Sequence, residues 1–135
     1  AFHSLENPMS VGDPDHYSIR CLPPVCTERF DNGGVHINSS IANHAFYLMV
    51  DGGVNRTSGI TVNGLGRNQM DRIESIFYRA FAFYLVPSSG FADARQATLR
   101  AMPGFRAGMD GTRAGRPSTP SVAPASRRIT WSRPW

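Results

Sequence analysis

The feature that most limits what this chain can become is an apolar stripe between Asn68 and Leu85. Met70, Ile73, Phe77, Phe81 and Tyr84 recur at three- and four-residue steps, and Ile76, Ala80 and Phe83 widen the row. That spacing lays them along one side of an α-helix, a side that is stable only when something covers it. Pro87 ends the pattern, because it has no N–H to give and its ring blocks the preceding turn. The chain is therefore built on a helix from about Asn68 to Leu85, and the stripe reads as packed core, not as a cofactor pocket. An earlier helix is expected from about Ser39 to Val50. Ile41, Ala45, Leu48 and Met49 mark its face, Asn38 or Ser39 caps it and Gly52-Gly53 stops it. A later helix is expected from Phe91 to Ala101, capped by Ser88 or Ser89 and stopped by Pro103. The Gly-rich connection over 52–66 holds a short extended piece, Ile60-Thr61-Val62, and an Asn63-Gly64 turn.

On either side of these helices the pattern fails for different reasons. Over 1–35, Pro8, Gly12, Pro14, Pro23, Pro24, Gly33 and Gly34 interrupt every regular period. Over 103–135, Gly, Pro, Ser, Ala and Arg dominate, and too little apolar surface is available to offset the entropy of ordering; disorder is expected. The expected architecture is mainly α: three packed helices and an irregular N-terminal lobe over 1–102, then a disordered tail over 103–135. Charge divides at the same place. Residues 1–102 hold eight Arg against nine acids, and residues 103–135 hold six Arg against one, so the formal +4 belongs to the tail. All fourteen basic residues are Arg. The longest basic run is Arg127-Arg128, with no stacking motif beside it, which argues against a nucleic-acid binder. No stretch approaches the ~18 apolar residues of a membrane span. The opening Ala1-Phe2-His3 is not a signal sequence, so any secretion signal is expected upstream.

The two cysteines, Cys21 and Cys26, flank Leu22-Pro23-Pro24-Val25. The spacing permits a small disulfide loop in an oxidising compartment, the alternative being two free thiols; no second pair exists to bind a metal with them.

The stretch that can carry chemistry is Asp31-Asn32-Gly33-Gly34-Val35-His36-Ile37-Asn38-Ser39-Ser40. Two glycines allow a tight turn just before His36, and a helix follows, so an imidazole can stand at a cleft edge on a rigid base. Across that turn the Asp31 carboxylate can accept an imidazole N–H bond, fixing the tautomer and favouring the cation. A helix N-terminus opposes that cation, so the two effects compete. Taken alone, an Asp–His pair is more often structural than catalytic. His16 reads as a loop hydrogen-bonding residue and His44 as a helix residue, exposed or packed. Asp13 and Asp15, with Pro14 between them, do not make an EF-hand-type calcium loop. Asn38-Ser39-Ser40 and Asn55-Arg56-Thr57 match the glycosylation pattern without strong support.

Two segments, Gly12-Asp13-Pro14-Asp15-His16-Tyr17-Ser18 and Asp31 through Ser39, resemble the thermolysin (bacillolysin-type neutral protease) family. The likeness continues through Gly64-Leu65-Gly66-Arg67, Ile76-Phe77-Tyr78-Arg79-Ala80, Leu85-Val86-Pro87-Ser88-Ser89 and Phe91-Ala92-Asp93-Ala94-Arg95, covering about residues 1–102. The resemblance implies the helical C-terminal domain of a secreted zinc endopeptidase acting on peptides. It implies zinc held by a H-E-x-x-H helix and a further Glu. Among His3, His16, His36 and His44 no such motif exists, so the metal-binding half is expected upstream of Ala1, and this chain alone is expected to be inactive. Calcium is implied for the full-length enzyme, held mostly by upstream acids.

Residue by residue, the resemblance makes His36 the donor that stabilises the oxyanion of the scissile carbonyl and Asp31 the acid that orients it. Phe2 falls in a substrate pocket, and His3 falls where the family has an Arg that contacts a substrate carbonyl. Ser40 stands where the family has Gly, and the Cys21–Cys26 loop is an insertion. At Pro103 the family's final helix gives way to Arg-, Pro-, Gly- and Ser-rich sequence, as an out-of-frame reading of a GC-rich gene would produce. A one-base shift of the nucleotide sequence would then restore the helix pattern. The alternative function is a catalytically inactive interaction domain, distinguished by whether the upstream sequence holds the zinc motif.

Overall fold

The computed structural model describes residues 3–103. Its secondary structure is mainly α, carried by helices α1 (Asp31–Val50), α2 (Met70–Phe83) and α3 (Phe91–Ala101). The lobe before α1 is irregular, with single 3-10 turns at Pro8–Val11 and Tyr17–Ile19. Expectations for Phe2 and for the tail from Gly104 onward fall outside the described residues.

Helix α2 divides its stripe between two neighbours. Towards α1, Ile73 is fully buried with Met49 and Val50, and Phe46, Leu65, Met70 and Phe77 close around them. The Phe77 ring meets Phe46 edge-on, with centroids 5.3 Å apart. Towards α3, Ile76 and Ala80 pack on Ala97 and Ala101, and Leu85 and Met102 seal the ends. Three of those four buried residues are Ala, so the two helices need little separation. The buried part of the stripe is narrower than the sequence suggests. Phe81 and Tyr84 are exposed and Phe83 is 71 % exposed, because α3 covers only the Ile76–Ala80 side. The helix is also shorter at both ends than its periodicity implies, since Arg67–Gln69 forms a 3-10 turn and Phe83 is the last helical residue.

Between α1 and α2 the chain makes strands β1 (Gly53–Val54) and β2 (Thr61–Val62), antiparallel with Gly53 opposite Val62. After β2 the backbone returns onto the end of α1. Leu65 N–H donates to Met49 O at 2.9 Å and Gly66 N–H to Val50 O at 2.8 Å, using carbonyls a helix end leaves free. Gly64 is obligatory, since a Cβ there would lie 2.3 Å from the Gly52 nitrogen. An exposed Asp51–Arg67 ion pair at 2.9 Å spans the same junction.

The lobe is tied to this frame by buried polar groups. The buried Asp15 carboxylate accepts the Arg56 N–H at 3.0 Å and also the Thr57 N–H and hydroxyl. The Asn55 amide donates to Asp15 O at 2.8 Å. His44 is buried and donates from Nδ1 to Leu5 O at 2.7 Å. The Ser40 hydroxyl, also buried, lies 2.7 Å from both Pro14 O and Ile37 O. Tyr17 packs edge-on against Phe91 of α3 at 5.7 Å.

Ile73→Ala should destabilise the fold by about 2–5 kcal/mol, the usual cost of emptying a fully buried aliphatic site. Urea unfolding of the 135-residue chain measures it. A loss of less than about 1 kcal/mol would mean that the α1–α2 seam is not the core.

Candidate functional site

The first four residues in the range of α1 are not right-handed helix but have positive φ: Asp31 (57°), Asn32 (44°), Gly33 (78°) and Gly34 (91°). Left-handed backbone costs an ordinary L-residue roughly 1–2 kcal/mol; Gly escapes this, and Asn and Asp are the side chains that visit it most readily. The Gly33 N–H donates to Thr27 O at 2.8 Å and holds the turn closed. Right-handed helix follows from Val35, so His36 stands in the first turn of α1 and not in the loop ahead of a helix starting at Ser39.

This start was hidden because its cap comes from a distance. Gly34 sits where a capping side chain belongs and has none. Asp31 replaces it: Oδ2 accepts the Ile37 N–H at 2.9 Å, and Oδ1 meets His36 Nδ1 at 2.5 Å. One carboxylate thus starts the helix and fixes the imidazole. Its side chain is 12 % exposed, whereas that of His36 is 76 % exposed. The Ile37 N–H, and after it His36, hold the Asp31 carboxyl below the usual carboxylate range, with burial opposing. An ionised carboxylate only accepts, so His36 Nδ1 must carry the hydrogen. Nε2 is then the nitrogen left without a hydrogen-bond partner among the described residues.

Asn38 does not cap α1. Its Oδ1 accepts the Cys21 N–H at 2.7 Å and its Nδ2 donates to Cys21 O at 2.9 Å. Cys21 and Cys26 are joined in a disulfide, and Cys26 is buried. His3 Nδ1 lies 2.8 Å from Asp13 Oδ2 in a second, separate His–Asp pair. Among the described residues no group of three or more His, Cys, Asp and Glu is placed to hold a metal ion, so the residues present do not make a zinc site. None of the helices among the described residues is long and apolar enough to cross a membrane.

Residues 1–107 match the family described as "Thermolysin metallopeptidase, alpha-helical domain". The chain belongs to the thermolysin family. It is 48 % identical over 101 residues to "Thermostable neutral protease NprT" of Geobacillus stearothermophilus, covering 75 % of this chain and 17 % of that protein. "Thermolysin" of Alicyclobacillus acidocaldarius subsp. acidocaldarius is 46 % identical and "Neutral protease B" of Bacillus subtilis (strain 168) 45 %, each over 101 residues with the same coverage. The chain thus spans about 17 % of the length of these relatives.

Within this thermolysin-family domain, the remaining candidates have local duties. His16 Nδ1 accepts the Ser18 N–H at 3.2 Å and starts a 3-10 turn. Both glycosylation patterns present amides that are already engaged, Asn38 with Cys21 and Asn55 with Asp15. The roles of Asn38, Ser40 and His44 in joining lobe to helix have no signature in the sequence, since each partner is a backbone group far along the chain.

The lowered Asp31 pKa means stability that is present above the unfolded-state value near 4 and lost as pH falls through the folded value. Asp51, lowered chiefly by its hydrogen bond from Arg67, adds to the same acid limb. In Asp31→Asn, the drop in the urea midpoint between about pH 6 and about pH 3 should be smaller than in the unaltered chain, with Asp51 leaving some of it in place. An unchanged drop would show that Asp31 does not gain its bonds on folding.

Proposed function

We propose that this domain supplies one wall of the substrate cleft of a secreted zinc endopeptidase and that His36 stabilises the oxyanion formed at the scissile carbonyl. The observation that carries this reading is the Asp31–His36 pair at 2.5 Å, with the carboxylate nearly covered and the ring exposed. It fits the membership of a metallopeptidase family. The zinc ligands belong to polypeptide upstream of Ala1, the partner half against which this cleft wall closes, and calcium belongs with that half as well.

The chemistry that this chain's residues supply is limited and specific. With Nδ1–H bound to Asp31, the ring offers Nε2 to the cleft. Neutral, Nε2 accepts; as the imidazolium, it donates. Negative charge that builds on a carbonyl oxygen is stabilised by such a donor.

In the polypeptide that includes the upstream half, caseinolysis should stop when a zinc chelator is added. His36→Ala should lower kcat by roughly 10²–10³-fold, the loss typical of an oxyanion donor. A loss under about tenfold would remove this role from His36.

His3 and Phe2 form the second part of the proposal, as residues facing the substrate beside the scissile bond. The 2.8 Å contact of His3 with Asp13 holds its ring in place. A forked permanent cation offers a carbonyl more donors than this ring does. His3→Arg should raise kcat/KM by about tenfold, the worth of one charge-assisted hydrogen bond. An unchanged kcat/KM would place His3 away from the substrate.

A further inference from the structure

The disulfide loop has no part in the proposed reaction, yet it touches the His36 turn on two sides. Cys26 is fully buried and lies directly beneath Gly34: a Cβ built at Gly34 would come within 3.2 Å of the Cys26 Cβ and Sγ. The same Cβ would come within 2.7 Å of Asn38 Nδ2. At the other end of the loop, the Cys21 N–H and C=O are both bound by the Asn38 side chain, which stands on α1 one turn past the start of the helix. Thr27, the residue after Cys26, supplies the carbonyl that closes the left-handed turn through Gly33 N–H. The loop therefore reaches the turn before His36 through Cys26 and Thr27, and the helix after His36 through Cys21. The disulfide fixes the distance between those two grips.

A cross-link between residues five apart in sequence closes a very small loop, the case in which constraint of the unfolded chain contributes least. Its effect is local. We propose that the Cys21–Cys26 loop is a positioning clamp for His36, with Cys26 and Asn38 as the residues that transmit it, acting through the Asp31–Gly34 turn. In its catalytic consequence this rests on the role given to His36 above; in its structural content it does not.

Two measurements keep those apart. In the 135-residue chain, opening the disulfide with Cys21→Ser/Cys26→Ser should speed hydrogen exchange of the Ile37 amide, the one bound by Asp31, at least about tenfold more than amides in the middle of α2. Asn38→Ala, which keeps the disulfide, should do so to a smaller degree. Equal exchange of Ile37 in oxidised, Cys-free and Asn38→Ala chains would overturn the clamp. In the polypeptide with its upstream half, the Cys-free variant should lower kcat by about tenfold or more while KM changes little, as misplacement of one reacting group does. In a His36→Ala background the same change should have no further effect on kcat. An equal kcat loss in both backgrounds would mean that the loop does not act through His36 and would overturn the proposal. If His36→Ala itself costs little turnover, the oxyanion role fails while the exchange result still decides the clamp.

Discussion

A single carboxylate governs this domain. Asp31 accepts the Ile37 N–H with one oxygen and faces His36 Nδ1 with the other. The first bond satisfies one of the free N–H groups at the start of α1, and the second holds the ring that the helix presents. Neither bond can form unless the chain between them doubles back, and it does so through four left-handed residues, two of them Gly. The unfavourable backbone at Asp31 and Asn32 is offset by those bonds, by the Thr27 carbonyl and by the packing of Cys26 under Gly34.

Everything else holds α1 still. Its C-terminal half is buried against α2 through Met49, Val50 and Ile73. Its middle is anchored to the lobe by His44 to Leu5 and Ser40 to Pro14. Its end receives the backbone returning from β2. An exposed ring on the first turn of such a helix has a fixed direction while it remains open to solvent or substrate. That combination suits a group meant to meet charge developing elsewhere, because no reorganisation is required at that moment.

The parts of this arrangement visible in the sequence are those with one-dimensional signatures. The α2 stripe is legible because burial on one side imposes a 3.6-residue period, and the Asp31, Gly33-Gly34 and His36 spacing is legible because a tight turn needs glycine. The start of α1 is not, since its cap lies three residues before the N-cap position and acts through a side chain folded across a left-handed turn. The start of α3 misleads similarly. Gly90 holds the N-cap position with its N–H on Asp93 Oδ2, while the Ser89 hydroxyl takes the Val86 N–H instead. Asn38 reads as a cap by residue type and is in fact a bridge to Cys21, a contact between positions seventeen apart that no local pattern encodes. The outer edge of the α2 stripe, Phe81, Phe83 and Tyr84, reads as core by period and is exposed, because period records what is apolar and not what covers it.

The central claim is that the Asp31 carboxylate keeps the hydrogen on His36 Nδ1, leaving Nε2 without one while the ring is neutral. Nitrogen-15 NMR of the His36 ring at a pH where the ring is neutral tests it most directly. The account predicts the Nδ1–H tautomer, with Nε2 unprotonated, and a shift towards the Nε2–H form in Asp31→Ala. A ring that is Nε2–H in the unaltered chain, or whose tautomer ignores the loss of Asp31, would contradict it.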